Sequence, residues 1–261
     1  MGKKINKKEK MLKELKILRS HGSQYVKDLR RQPVSGLFRG RPVISGNISH
    51  EEINAVSALC PLSAIDSGCG SIDLGRCSFC NECAFALPEK IKFTNDYKIA
   101  VNRREALVIK PGEDLPVRID EDCIRKEVRK TFRGALKLRQ VSAGGDNSCE
   151  MELNAAGNVN FDMGRYGIEF VASPRHADGI VITGPVSENM SQALQICYDA
   201  TPEPKIIILA GTDAISGGIF NGSPSLNRKF IDEHHIDLYI PGNPMHPLTF
   251  INGVMDLLAI R

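Results

Sequence analysis

The amino-acid sequence predicts an α/β protein in two parts: a small α+β module built around clustered cysteines, then a parallel-sheet domain. Three observations lead there. Cys60, Cys77, Cys80 and Cys83 crowd into one short stretch near the front of the chain. Beyond residue 120, apolar runs at 138–141, 168–172, 180–183, 205–210 and 237–240 alternate with helical patterns, and continuous apolar strands between helices indicate a parallel sheet covered on both faces. A glycine turn follows nearly every run, at Gly144-Gly145, Gly184-Pro185, Gly211, Gly217-Gly218 and Gly242. In an open parallel sheet such turns gather at the carboxyl edge, where these folds bind their ligands.

The 261 residues, 42% hydrophobic and 25% charged, suffice for two small domains with real cores. We divide them into a basic helix and extended linker (1–47), the cysteine module (48–112) and the sheet domain (113–261), with Pro111, Gly112 and Pro116 at the break. The net charge is only +3. The lysine and arginine excess lies at the N-terminus without an aromatic stacking platform, which argues against nucleic-acid binding. No apolar run approaches the roughly 18 residues of a spanning helix. No signal-peptide core follows the basic start, so a cytoplasmic protein in at most peripheral contact with a membrane is expected.

In chain order, residues 3–20 place Met11, Leu12, Leu15 and Leu18 on one helix face with lysines around the rest. Such a helix docks on a partner or on anionic lipid, or stays solvated. Residues 22–47 read as a draped linker. The alternation over 92–101 predicts a hairpin with Asn95-Asp96 at its turn. A charged helix is expected over 120–135, one capped by Ser187 running to about residue 200, and a closing helix over 247–260. Cys123 and Cys197 fall on predicted helices and read as core thiols.

The chemistry sits in residues 60–88. Cys77, Cys80 and Cys83 form a C-x2-C-x2-C run, the spacing that wraps a loop around a cubane iron-sulfur cluster, and Cys60-Pro61 supplies the fourth thiolate. In the two-cluster pattern the other cluster's ligands would fall at His50, Ile53, Val56 and Leu87, and none is cysteine. One set is lost as a group and the other kept as a group. We therefore expect one 4Fe-4S cluster on Cys60, Cys77, Cys80 and Cys83, with the second site turned to apolar packing. Structural zinc is the alternative, with Cys69 able to replace Cys60, although zinc sites usually present two separated C-x2-C pairs. Clustered cysteines without a secretory signal argue against disulfides. No nucleophile elbow, P-loop or dinucleotide fingerprint is present, so no complete catalytic centre is expected on this chain.

This region, with the FRGRP segment at residues 38–42, resembles the polyferredoxin subunits of complex I and of group 4 nickel-iron hydrogenases. The segments LRQVSAGGDNSCEMELN, RYGIEFVASPRHADGIVITGPVSENM, PEPKIIILAGTDAISGGIF and YIPGNPMHPLTFINGVMDLL resemble the small subunit of nickel-iron hydrogenases and the quinone-proximal iron-sulfur subunit of complex I. That second resemblance runs over about 132–258. Together they imply a ferredoxin-like module fused to a flavodoxin-like sheet domain. They imply an iron-sulfur electron-transfer subunit of a membrane-associated, hydrogenase-like or complex I-like oxidoreductase. Its partners would be a large subunit and membrane subunits, at the inner face of the membrane.

The resemblance also implies a cluster on the sheet-edge turns, at positions that here are Asp146, Cys149, Asp213 and Asn243. Only one is cysteine, and iron-sulfide cores favour thiolate donors. No cluster is expected there. Asp146, Asp213 and Asn243 read as turn residues, with a divalent ion on the aspartates and Cys149 as an alternative. His176, in the family-like loop 173–178, reads as structural. GGDNSCE lacks the hydroxyl-rich phosphate loop of a flavin mononucleotide site. The competing reading is a structural or assembly subunit with a cluster-free α/β domain and a zinc or cluster staple in front.

Overall fold

The computed structural model describes residues 7–22 and 24–260. Helix α1 (Lys7–His21) buries no residue, and Met11, Leu12, Leu15 and Leu18 are all more than half exposed. Residues 3–6 of the expected basic helix lie outside the described residues. Among those described, no helix is long and apolar enough to cross a membrane. The stretch read as linker is firmly tied down. Leu29 is fully buried, its carbonyl accepts from Tyr97 Oη and Asn252 Nδ2, and Arg30 pairs with Asp256 at 2.5 Å.

The front of the chain forms β1 (Pro42–Ile44), α2 (His50–Leu59), β2 (Ile72–Asp73), α3 (Glu82–Ala86), β3 (Ile91–Phe93) and β4 (Val108–Ile109). β1 therefore lies within the stretch read as linker. Two antiparallel ribbons result, β1 with β3 and β2 with β4. Ser49 and Glu52 close a reciprocal capping box on α2, which satisfies two N–H groups otherwise orphaned at a helix start. Ile53 and Val56, two of the non-cysteine positions, are the buried residues of α2. Leu87 is half-buried and His50 is exposed, so His50 takes no part in that packing.

The expected hairpin over 92–101 does not form. β3 takes β1 as its partner instead, and Val101 bridges Tyr239 with paired backbone bonds of 3.0 and 2.7 Å. The alternation is real, since Tyr97, Ile99 and Val101 are buried. It serves packing against the later parallel strands rather than a local ribbon.

The expected helix over 120–135 is also broken. Asp120 caps a single 3-10 turn by accepting the Asp122 N–H, and the helix proper is the short α4 (Lys126–Thr131). Between them Arg125 is held by both carboxylate oxygens of Asp237 at 2.9 and 3.0 Å, which fixes a non-helical bend. Cys123 is exposed, so it is not a core thiol; Cys197 is half-buried.

The rest of the chain supplies β5 (Leu136–Ser142), α5 (Ser148–Ala156), β6 (Ile168–Phe170), β7 (Gly179–Thr183), α6 (Glu188–Ala200), β8 (Ile206–Ala210), α7 (Thr212–Ser216), α8 (Lys229–Glu233), β9 (Leu238–Ile240) and α9 (Pro247–Leu257). The strands form one parallel sheet in the order β6-β5-β7-β8-β9, the flavodoxin-like order. Successive side chains along a strand point to opposite faces. Ile206, Ile208 and Ala210 accordingly join the core beneath α5 and α9, while Ile207 and Leu209 join a second core on the other face. That second core is continuous with Ile44, Val56, Ile72, Leu74 and Leu107 of the front module. The two parts therefore share buried surface.

Candidate functional site

Cys60 leaves the end of α2, Cys77 follows β2, and Cys80 and Cys83 flank the start of α3. The chain bends back between them through two non-glycine residues in the left-handed region, Phe79 (φ 56) and Asn81 (φ 77). That conformation is uncommon outside glycine and persists where surrounding structure enforces it. As a result Cys60, Cys77, Cys80 and Cys83 line one cavity with Ile65, Ile72 and Phe93. Cys77 is buried, Cys60 and Cys83 are half-buried, and Cys80 is exposed. Cys69 is elsewhere, exposed and bonded to Ser71 Oγ at 3.2 Å.

Backbone donors face the sulfurs. The Ala64 N–H donates to Cys60 Sγ (3.2 Å) and the Phe79 N–H to Cys77 Sγ (3.3 Å). Burial pushes the Cys77 thiol up to about 12 and the Cys83 thiol up to about 11, and the neighbouring cysteines add to both. Ionising them together in the bare chain is costly, because buried like charges repel. A cationic centre reverses that cost. Among the described residues, no three His, Cys, Asp or Glu side chains gather tightly enough to hold a single metal ion.

The sheet-edge turns look different. Cys149 is buried at the start of α5 and its thiol is pushed up to about 11, first by burial, then by Glu150, Asp213 and Asp146. Gly211 lies against it: a β-carbon on Gly211 would overlap Cys149 Sγ. Asp213 is packed against Gly218 and held above the usual carboxylate range by burial and by Asp146. The turns after β5 and β7 also touch backbone to backbone at Gly145 and Gly184. Asp146 does serve its turn, accepting from Ser148 N and Oγ at 2.9 and 2.6 Å. Asn243 is exposed in the turn before α9, and His176 is exposed.

The two regions are joined. Thr212, fully buried beside Asp213, donates from Oγ1 to the Cys77 carbonyl at 2.9 Å. Ser78 and Phe79 share a cavity of about 230 Å³ with Gly242, Asn243 and His246. Arg104 forks onto Asp73 at 2.8 and 2.6 Å, and lies beside Gly75, which also meets Ile215. Sequence reasoning missed Thr212 and the donors at Ala64 and Phe79. The C-x2-C spacing signals a loop, but no pattern links residue 212 to residue 77.

Residues 147–257 match the family described as NADH ubiquinone oxidoreductase, 20 Kd subunit. Over 115 residues the chain is 36% identical to the probable membrane-bound hydrogenase subunit mbhJ of Pyrococcus furiosus, covering 44% of this chain and 69% of that protein. The chain belongs to the 20 Kd subunit family. Within it, the chain is 38% identical over 109 residues to an NADH-quinone oxidoreductase subunit of Geotalea daltonii, covering 42% of this chain and 64% of that protein. It is 33% identical over 151 residues to formate hydrogenlyase subunit 7 of Escherichia coli, covering 57% of this chain and 59% of that protein. A chain in the structure of a membrane-bound sulfane sulfur reductase, an archaeal respiratory membrane complex, covers 51% of this chain at 24% identity with a TM-score of 0.44, and 73% of that chain is matched. Cys149, Asp213 and Asn243 lie inside the 20 Kd subunit match, whereas Cys60, Cys77, Cys80 and Cys83 lie before it.

Proposed function

We propose that this member of the 20 Kd subunit family is an electron-transfer subunit whose redox centre is one 4Fe-4S cluster on Cys60, Cys77, Cys80 and Cys83, in a ferredoxin-like module fused in front of the family domain. The observation that carries this is four thiols on one cavity, two of them already accepting backbone N–H bonds. Structural zinc sites usually draw on two separated C-x2-C pairs, whereas here three of the four thiols come from a single bend. A cluster spreads its thiolates over several irons, which suits four cysteines that line one cavity without gathering on a single point. When bound, such a cluster accepts and releases single electrons. The chain's part is to exclude water with Ile65, Ile72 and Phe93, and to aim N–H groups at sulfur.

The sheet edge holds no second cluster in this reading, since three of its four family positions lack sulfur and glycine backbone lies against Cys149 and Asp213. The family's usual route to a large subunit is therefore interrupted, because tunnelling weakens steeply with distance. The relatives' names, membrane-bound hydrogenase and NADH-quinone oxidoreductase, support a place in a membrane-bound complex, and we propose large-subunit and membrane-subunit partners at the cytoplasmic face.

The test is metal and sulfide analysis of anaerobically purified protein. About four irons with matching sulfide per chain, and a paramagnetic signal on reduction, are expected. One zinc per chain without iron would overturn the redox reading and leave the scaffold reading.

A further inference from the structure

The turn of the sheet domain that lacks its family thiolate still reaches the front module through one hydrogen bond. Thr212 follows β8 at the carboxyl edge, is fully buried, and directs Oγ1 onto the Cys77 carbonyl at 2.9 Å. Its backbone N–H is taken by the Gly242 carbonyl at 2.8 Å, so the residue is fixed from the turn after β9 as well. The peptide it grips is the first of the bend that runs Cys77, Ser78, Phe79. Two residues on, Phe79 adopts the left-handed region and donates its N–H to Cys77 Sγ. Arg39 Nε donates to the Phe79 carbonyl at the far end of the same bend. A left-handed non-glycine residue needs such clamps, since an unrestrained chain relaxes to negative φ.

We infer that Thr212 is a positioning residue for the four-thiol site: the sheet domain, through the turn that carries Asp213, holds the Cys77–Phe79 peptides so that the Phe79 N–H stays aimed at Cys77 sulfur. This rests on the cluster reading given above for its redox consequence, though not for its geometry. Hydrogen bonds to cluster sulfur help set the reduction potential. An N–H dipole aimed at sulfur favours the form with one more electron, so weakening that bond moves the midpoint negative.

The experiment uses the full chain and compares wild type with Thr212→Val, which keeps shape without a donor, and Thr212→Ser, which keeps the donor. Unfolding curves confirm that each variant is folded. Redox titration of the loaded protein, followed by its paramagnetic signal, is expected to give a more negative midpoint for Thr212→Val at unchanged iron content and a wild-type midpoint for Thr212→Ser. Amide hydrogen exchange at Phe79 is read on the same proteins, with and without metal, and is expected to quicken in Thr212→Val alone. An unmoved midpoint in Thr212→Val, or a Phe79 amide that exchanges at the wild-type rate, overturns the inference. Absence of iron from the wild type overturns the cluster reading instead, and the Phe79 exchange rate in the metal-free proteins then decides the positioning role by itself.

Discussion

The four-cysteine loop and the sheet-edge turns are assembled from similar parts, short bends at the ends of strands with left-handed residues in them, and they differ in what occupies the space between the bends. In the loop, four cysteines line one small cavity of about 20 Å³, and two of their sulfurs accept N–H groups. At the edge, Gly211 lies against Cys149 Sγ, Gly218 against Asp213, and Gly145 against Gly184. The two places thus differ first in how many thiols meet, four at the loop and one at the edge. Cys149 is as buried as Cys77, yet only Cys77 stands among other thiols.

The comparison breaks most readily on iron. Cys77→Ala or Cys80→Ala is expected to abolish bound iron, whereas Cys69→Ala and Cys149→Ala leave iron and sulfide per chain unchanged. Loss of iron in Cys149→Ala would place a metal centre at the sheet edge. A smaller effect tests whether that edge is closed. Gly211 has φ 97, and an added β-carbon meets Cys149 Sγ, so Gly211→Ala is expected to cost about 1–3 kcal/mol in urea unfolding. Cys149→Ala in the same chain should recover part of that loss, as contacting residues couple. A neutral Gly211→Ala would mean an open socket.

Alkaline stability sharpens the contrast further. Burial holds the Cys77, Cys83 and Cys149 thiols at about 12, 11 and 11 against an ordinary value of 9.0. A folded-state value above the unfolded one means stability that is fully present below pH 9 and lost as pH rises through 11 to 12. The metal-free chain should therefore weaken progressively above pH 9. Loading the front site should remove the Cys77 and Cys83 part of that loss, because bound thiolates are already ionised. The Cys149 part should persist, and Cys149→Ala should remove it.

The smallest effect separates the two aspartates, and is read by thermal unfolding at several pH values. Asp213, raised by burial and then by Asp146, contributes stability below 3.8 that is lost as pH rises, so at neutral pH its charge is a burden. Asp213→Asn should stabilise at pH 7 by roughly a few tenths of a kcal/mol, fading in acid. Asp146, lowered by its bonds to Ser148, contributes stability above 3.8 that is lost as pH falls, and Asp146→Asn should destabilise at pH 7.

Much of the architecture was legible in the chain because burial on both faces of a parallel sheet demands unbroken apolar strands. The runs at 180–183 and 205–210 could be little else, and β7 and β8 lie there. The 92–101 alternation was misleading because period-two burial says that one face is covered, not by what. Its cover is Tyr239 and the sheet domain, far along the chain. The helix over 120–135 failed for a similar reason, since the bend at Arg125 is set by Asp237. At the front site the residue types and spacing of the cysteines were readable, as was the poverty of sulfur at the sheet edge.

The sequence by itself determined the strand pattern, the thiol positions and the family, all of which rest on local periodicity and side-chain chemistry. Only the tertiary structure decided that the two parts share one core, that Gly211 closes on Cys149, and that Thr212 reaches Cys77. Those depend on contacts between residues far apart in the chain, where packing rather than local preference chooses the partner.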